Sequence, residues 1–212
     1  MDNINKLNKT YKHTINVIDL ALKKSVELKI KDFVIASCTG KTAELFLARL
    51  EYFAESGLLN NPAIDNNKKY SPAVPNYGLN IVCVTHQIGF SEPNSDEMSR
   101  EVRDRLDNEG LKVLTTTHLL GGVDRALRMQ FEGIYPTEIV SSSLRIFGQG
   151  TKVCIEISVM AADAGLVKAY SNIIAIGGTG SGADTAAVIS PAHSQDFFKT
   201  RVLEVICKPS DF

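Results

Sequence analysis

The chain has 212 residues, 44% hydrophobic and 22% charged, with a net charge of -1; that is enough to bury a sizeable core, and one domain spanning 1–212 is the economical reading. The near-neutral balance, with no run of basic residues interleaved with aromatics, offers no field to a nucleic-acid backbone, so nucleic acid is not an expected partner. No window reaches the roughly 18 to 20 apolar residues of a membrane span, the N-terminus is polar, and Cys38, Cys83, Cys154 and Cys207 form no Cys-x-x-Cys pair; free thiols in a cytoplasmic protein are expected, neither secreted nor membrane-embedded.

Ile4, Leu7, Tyr11, Ile15, Ile18, Leu22 and Val26 recur every three or four residues, which predicts an amphipathic helix over 3–28. Residues 33–37 form an apolar run ended by a Thr-Gly turn, as suits a strand buried on both faces, and a helix begins near Thr42 with Leu45, Leu47, Leu50 and Phe53. Residues 57–79 are rich in Asn, Pro, Gly and Lys and predict a surface loop that adds little to a core. A second strand covers Ile81 to Thr85. Ser95 and Asp96 offer an N-cap to a charged helix ending at Gly110, and a third strand covers Val113 to Thr116. From Gly122 to Leu166 the pattern is helical, with breaks at Gly133, Pro136 and Gly148-Gln149-Gly150 that predict three helices. Strands follow at 173–176, 185–189 and 202–207. This alternation predicts an α/β fold of three αβα layers around a mainly parallel sheet, with right-handed crossovers and room for an antiparallel last strand.

In open parallel sheets ligands sit beyond the carboxyl ends of the strands, where loops converge and helix N-termini point at the opening. That edge receives Ser37, Thr39, Gly40, Lys41 and Thr42 after the first strand, Thr85, His86, Gly89 and Phe90 after the second, and Thr117 and His118 after the third. The fourth strand contributes Gly178, Thr179, Gly180, Gly182 and Asp184. Hydroxyls, a tight glycine and a lysine at a helix start suit a phosphate, although Thr39 to Thr42 would equally serve as a plain helix cap. The Gly-Lys-Thr run is not a nucleotide P-loop, since Ile35 stands where that motif needs its first glycine. Gly178, Gly180 and Ala183 fit the loose dinucleotide pattern, but the following residues read as a strand and not a helix. A loop approaching a ligand through its backbone, or a tight structural turn, fits that context.

His86 and His118 each follow a strand and could donate to a ligand or act as acid or base; with Glu92 as the one close acidic companion in sequence, no metal is expected. His13 and His193 read as surface or structural residues. Glu156 and Asp163, seven apart on an otherwise apolar helix, share one face as polar contacts to neighbouring loops or as pocket wall.

Several runs resemble a known family. Ser37-x-Thr39-Gly40-x-Thr42-Ala43 after a buried strand is similar to the effector-phosphate loop of the pyruvate kinase C-terminal domain. Asn80 to Thr85 is similar to that domain's second strand, Gly133-x-x-Pro136 to its Gly-x-x-Pro turn, and Gly180-Ser181-Gly182-x-x-Thr185 to its late glycine loop. The closer resemblance is to stand-alone pyruvate kinase-like α/β proteins of unassigned function. It rests on Phe147-Gly148-Gln149-Gly150-x-Lys152-Val153-Cys154-x-Glu156 and Gly177-Gly178-Thr179-Gly180-x-Gly182-Ala183-Asp184-Thr185. That group is associated with flavin mononucleotide (FMN), so the resemblance implies FMN as the leading ligand. The barrel that carries pyruvate kinase's metal and catalytic lysine has no counterpart here, and pyruvate kinase activity is not implied.

Three functions follow as expectations: an FMN-binding protein, a sugar-phosphate sensor without catalysis, and a hydrolase or transferase using His86 or His118 as base, for which no nucleophile is placed by motif. No catalytic residue is assigned. Assembly into a homo-oligomer is a further expectation.

Overall fold

The computed structural model describes residues 2–59 and 77–211, with side chains from Tyr11 onward. Helix α1 (Asp2–Leu28) follows the predicted periodicity, and Val17, Ile18, Ala21 and Leu22 form its buried stripe. The side chains of Ile4 and Leu7 lie outside the described residues. Strand β1 (Asp32–Ala36) leads into α2 (Lys41–Glu55), which buries Phe46, Leu50 and Phe53. Strand β2 (Asn80–Thr85), helix α3 (Arg100–Asn108) and strand β3 (Lys112–Thr115) follow, then α4 (Val123–Phe131), α5 (Pro136–Arg145) and α6 (Gln149–Asp163). Strands β4 (Ile173–Gly177), β5 (Thr185–Ser190) and β6 (Arg201–Cys207) complete the sheet.

The fold is α/β, with one six-stranded sheet in the order β3-β2-β1-β4-β5-β6. The β1–β2, β1–β4 and β2–β3 pairs are parallel, while β4–β5 and β5–β6 are antiparallel. The reversed strand is therefore β5 and not the last one: β6 turns back again and runs with β1 to β4. The connection from β4 is only residues 178–184, too short for the crossover that a parallel neighbour requires, so the chain makes a hairpin there.

Successive strand residues point to opposite faces, which divides the core in two. Phe33, Ile35, Ile81, Cys83, Ile174 and Ile176 pack under α1, α2 and Leu106 of α3. Val34, Val82, Val84, Ile173, Ala175 and Ala187 pack under α6 with Leu144 of α5. Helix α6 is buried along most of its length, so an apolar sequence with no outer polar face is what its position demands. Gly150 lets its first turn approach the sheet, since a Cβ there would lie 2.1 Å from Thr185 Oγ1. The sequence pattern showed this glycine only as a break.

Two expectations change in detail. The cap of α3 is Ser99, whose hydroxyl accepts the Val102 N–H at 3.3 Å; Asp96 instead accepts the Met98 N–H in a turn ahead of the helix and pairs with Arg103. Leu59 and Leu79, at the ends of the polar 57–79 stretch, are both buried in the α1–α2 side of the core. The stretch between them, 60–76, lies outside the described residues. All four cysteines are free, with Cys83 and Cys154 buried. Among the described residues no helix is long and apolar enough to cross a membrane.

Candidate functional site

Two cavities open at the carboxyl edge of the parallel strands. The larger, about 490 Å³, lies between the loop after β1 and the β4–β5 hairpin and is lined by Tyr11, Ser37, Cys38, Thr39, Lys41, Thr42 and Leu45, with Gly178, Gly180, Ser181 and Gly182 opposite. The smaller, about 350 Å³, lies between the loops after β2 and β3 and the helices α4, α5 and α6. His86, Gln149 and Val153 line both, so a single seam separates them. Each volume falls in the roughly 300–1,000 Å³ range of small-molecule sites.

The loop side is built on the N-terminus of α2. Gly40 takes φ +86°, and a Cβ there would lie 2.3 Å from Val102 Cγ1, so only glycine fits between β1 and α3. Ser37 is the capping group: its buried hydroxyl accepts the N–H of Thr42 at 3.1 Å and of Ala43 at 3.4 Å. Those two donors are thus spent on the cap, and a ligand on this side meets Thr39, the start of α2 and the exposed Lys41. The Lys41 ammonium lies 5.3 Å from the centre of the Tyr11 ring. The hairpin opposite is fixed by α1: Thr14, fully buried, accepts the Ala183 N–H at 2.9 Å and donates to its carbonyl at 3.3 Å. Gly178 allows the hairpin to fold on itself, because a Cβ would lie 2.4 Å from the Gly182 carbonyl.

On the other side three rings cluster. The His86 and Phe90 centroids are 3.9 Å apart, His118 is edge-on to both at 5.0 and 5.3 Å, and the Arg125 guanidinium lies 5.6 Å from the Phe90 ring. His86 Nδ1 hydrogen-bonds Glu97, not the Glu92 suggested by proximity in sequence. The loop folds back through a Gly89 N–H to Ser95 carbonyl bond at 2.9 Å, which brings Glu97 to the ring. Burial, more than the neighbouring cations, holds the His118 pKa below the usual histidine value and keeps the ring neutral near pH 7, against the opposing pull of Glu156.

At the floor of the smaller cavity, Lys152 and Glu156 form an ion pair one turn apart on α6, both nearly inaccessible. Glu156 also accepts the Leu120 N–H at 2.8 Å. Glu156 is therefore both a contact to a neighbouring loop and part of the pocket wall. Asp163 accepts the Ser194 N–H at 3.0 Å and pairs with His193, away from both cavities. Lys152, which the sequence reading quoted only within the resemblance run and gave no role, carried a usable signal: a lysine four residues before a glutamate on an otherwise apolar helix.

Of the sequence-selected residues, Ser37, Thr39, Lys41, Thr42, Gly178, Gly180 and Gly182 line the larger cavity, Phe90 and His118 the smaller, and His86 both. Gly40, Thr85, Gly89, Thr117, Thr179 and Asp184 stand outside these linings. Thr85 is buried and bonded to the His86 carbonyl and Thr115, and Asp184 accepts the Thr185 hydroxyl at 2.6 Å; both shape their loops from behind. Cys38 Sγ, a His86 ring nitrogen and a Glu97 oxygen lie within 4.8 Å of one another, a donor set able to hold a thiophilic divalent ion. Burial pushes the Cys38 thiol up to about 11, so at neutral pH the cluster is a hydrogen-bonded one, not a preformed thiolate centre.

No protein-family model matches the chain. Among solved structures, a pyruvate kinase from Cryptosporidium parvum is similar over 84% of this chain at 14% identity, with a TM-score of 0.36. The chain spans about a quarter of that enzyme's length, 23%. At that distance the similarity says nothing about ligand or reaction; the α/β assignment rests on the sheet itself.

Proposed function

We propose that the protein binds a phosphorylated small molecule, with FMN as the leading ligand, at the carboxyl edge of its sheet. The observation that carries this reading is the larger cavity, walled on one side by the Thr39–Thr42 turn at the start of α2 and on the other by the glycine hairpin. A phosphate there meets the positive end of the helix and the Lys41 ammonium, worth roughly 0.3–2 kcal/mol from the helix alone. The residues present fit the rest of FMN as well. Tyr11, Leu45 and Val153 offer apolar surface to a ring, and the hairpin glycines admit close backbone approach. The choice of FMN over other phosphate esters comes from the resemblance of residues 147–156 and 177–185 to the flavin-associated group. When bound, a flavin would supply electron-transfer chemistry; Thr39, Lys41 and the start of α2 would hold its phosphate, and His86 lies on the seam to the second cavity.

An absorption spectrum of the purified protein from 300 to 550 nm tests this, with mass identification of whatever heat releases. Flavin bands and the mass of FMN are expected. A colourless protein that also fails to bind added FMN sinks the flavin reading and leaves sugar-phosphate sensing at the same loop.

A further inference from the structure

The smaller cavity has a charge pattern that the phosphate loop does not use. Its lining holds four permanent cations, Arg125, Arg128, Arg145 and Lys152, against two carboxylates, Glu138 and Glu156. Those carboxylates are already committed. Arg128 pairs with Glu138 at 2.6 Å, and Lys152 pairs with Glu156. Arg125 and Arg145 have no carboxylate partner among the described residues: Arg125 lies against the face of Phe90, and Arg145 donates to Gln149 Oε1 at 2.6 Å. Two guanidinium groups from two different helices thus converge on one concavity with about two positive charges uncompensated. Thr137, Ser141 and Ser142 share its lining, the Thr137 hydroxyl already donating to Asp124 at 2.7 Å, and His118 is held neutral there.

We propose that this cavity binds a small dianion, beside the phosphorylated ligand and independently of which phosphorylated ligand that is. Planar guanidinium forks match carboxylate and phosphate oxygens in bidentate geometry. The shared ligand chemistry is a pair of anionic oxygens groups, on an organic diacid or on a phosphate monoester. Its position beside the seam sets it next to His86, whose Nδ1 is engaged by Glu97 and whose remaining ring nitrogen is Nε2. The dianion is therefore the class of second substrate or co-ligand that this site would present to the ligand in the larger cavity.

Calorimetric titration of the full chain at pH 7.5 and low ionic strength with malonate, succinate and inorganic phosphate, alongside acetate, tests the proposal. At least one dianion should saturate one site and bind at least tenfold more tightly than acetate. Arg125→Ala and Arg145→Ala should each weaken it tenfold or more, while Arg100→Ala, an exposed cation outside both cavities, leaves it within about twofold. Both arginines are exposed, and matched melting temperatures would show that the variants fold. A diacid as best ligand identifies an organic acid; arginine-dependent phosphate binding with neither diacid bound identifies a phosphate ester. Absence of a saturable dianion, binding that survives both arginine substitutions, or acetate binding as well as the dianions would overturn the proposal. Phosphate binding lost with Lys41 but indifferent to the arginines, with no diacid bound, would support the loop reading and refute this one; arginine-dependent binding indifferent to Lys41 would support this one alone.

Discussion

Replacing Lys152 by methionine would leave the Glu156 carboxylate buried without its counter-charge. The two side chains keep only 9% and 3% of their accessibility, so water cannot take over the lysine's role without local opening. Removing one partner of such a pair typically costs about 3–5 kcal/mol, which for a chain of this length lowers Tm on the order of 6–20 °C. The double variant Lys152→Met/Glu156→Gln removes both charges, and the amide oxygen can still accept the Leu120 N–H. It should therefore recover to within about 1–2 kcal/mol of the natural protein, giving a large coupling energy in the double-mutant cycle. Urea unfolding followed by circular dichroism is the suitable assay, since the chain has no tryptophan. A single-variant cost below about 1 kcal/mol, or additive effects of the two substitutions, would refute the assignment of a buried pair at the cavity floor.

Lys41→Ala should weaken the phosphorylated ligand by about 1–3 kcal/mol while leaving the melting temperature nearly unchanged, because the side chain is exposed; unchanged affinity in a titration with FMN would remove the phosphate role. Gly40→Ala should cost at least about 1–2 kcal/mol of stability by urea unfolding, since it forces a left-handed residue against Val102. For His118 the sign follows from its depressed folded pKa: the unfolded chain takes up the proton first as pH falls. Stability from this group is present above the unfolded value near 6.5 and is lost below it as pH falls through the folded value. His118→Gln should flatten the loss of stability between pH 7.5 and 5.5, and an unaltered slope would show that the ring is solvated.

The sequence carried the layers and the site's edge because both follow from short-range patterns. Alternating apolar strands and helices locate the sheet, and residues just after each strand locate the opening, as with Thr39, Lys41, His86 and His118. What it did not carry depends on distant pieces of chain meeting. Glu97 reaches His86 only because the loop folds through Gly89, and Thr14 of α1 holds the hairpin at Ala183, 169 residues away. Strand β5 was legible as a short strand after a glycine loop, but its reversal was not: the antiparallel direction was expected of the last strand, and the short connection from β4 gives it to β5. Arg125 and Arg145 read as ordinary surface charges until α4 and α5 set them around one cavity.

The hairpin that forms one wall of the larger cavity has an architectural consequence. Apart from Tyr11 of α1, the other walls hang on crossover connections, so altering their length would disturb how helices thread between strands. Residues 178–184 join two adjacent strands, and a Cβ at Gly180 would meet nothing within 4 Å, although its φ of +84° puts any side chain there in a left-handed backbone, at a cost of about 1–2 kcal/mol. Lengthening or substituting its tip changes the shape of the opening while the strand order and the helix layers stay as they are. Within this fold, the hairpin tip is a place where ligand preference can diverge without rethreading the sheet.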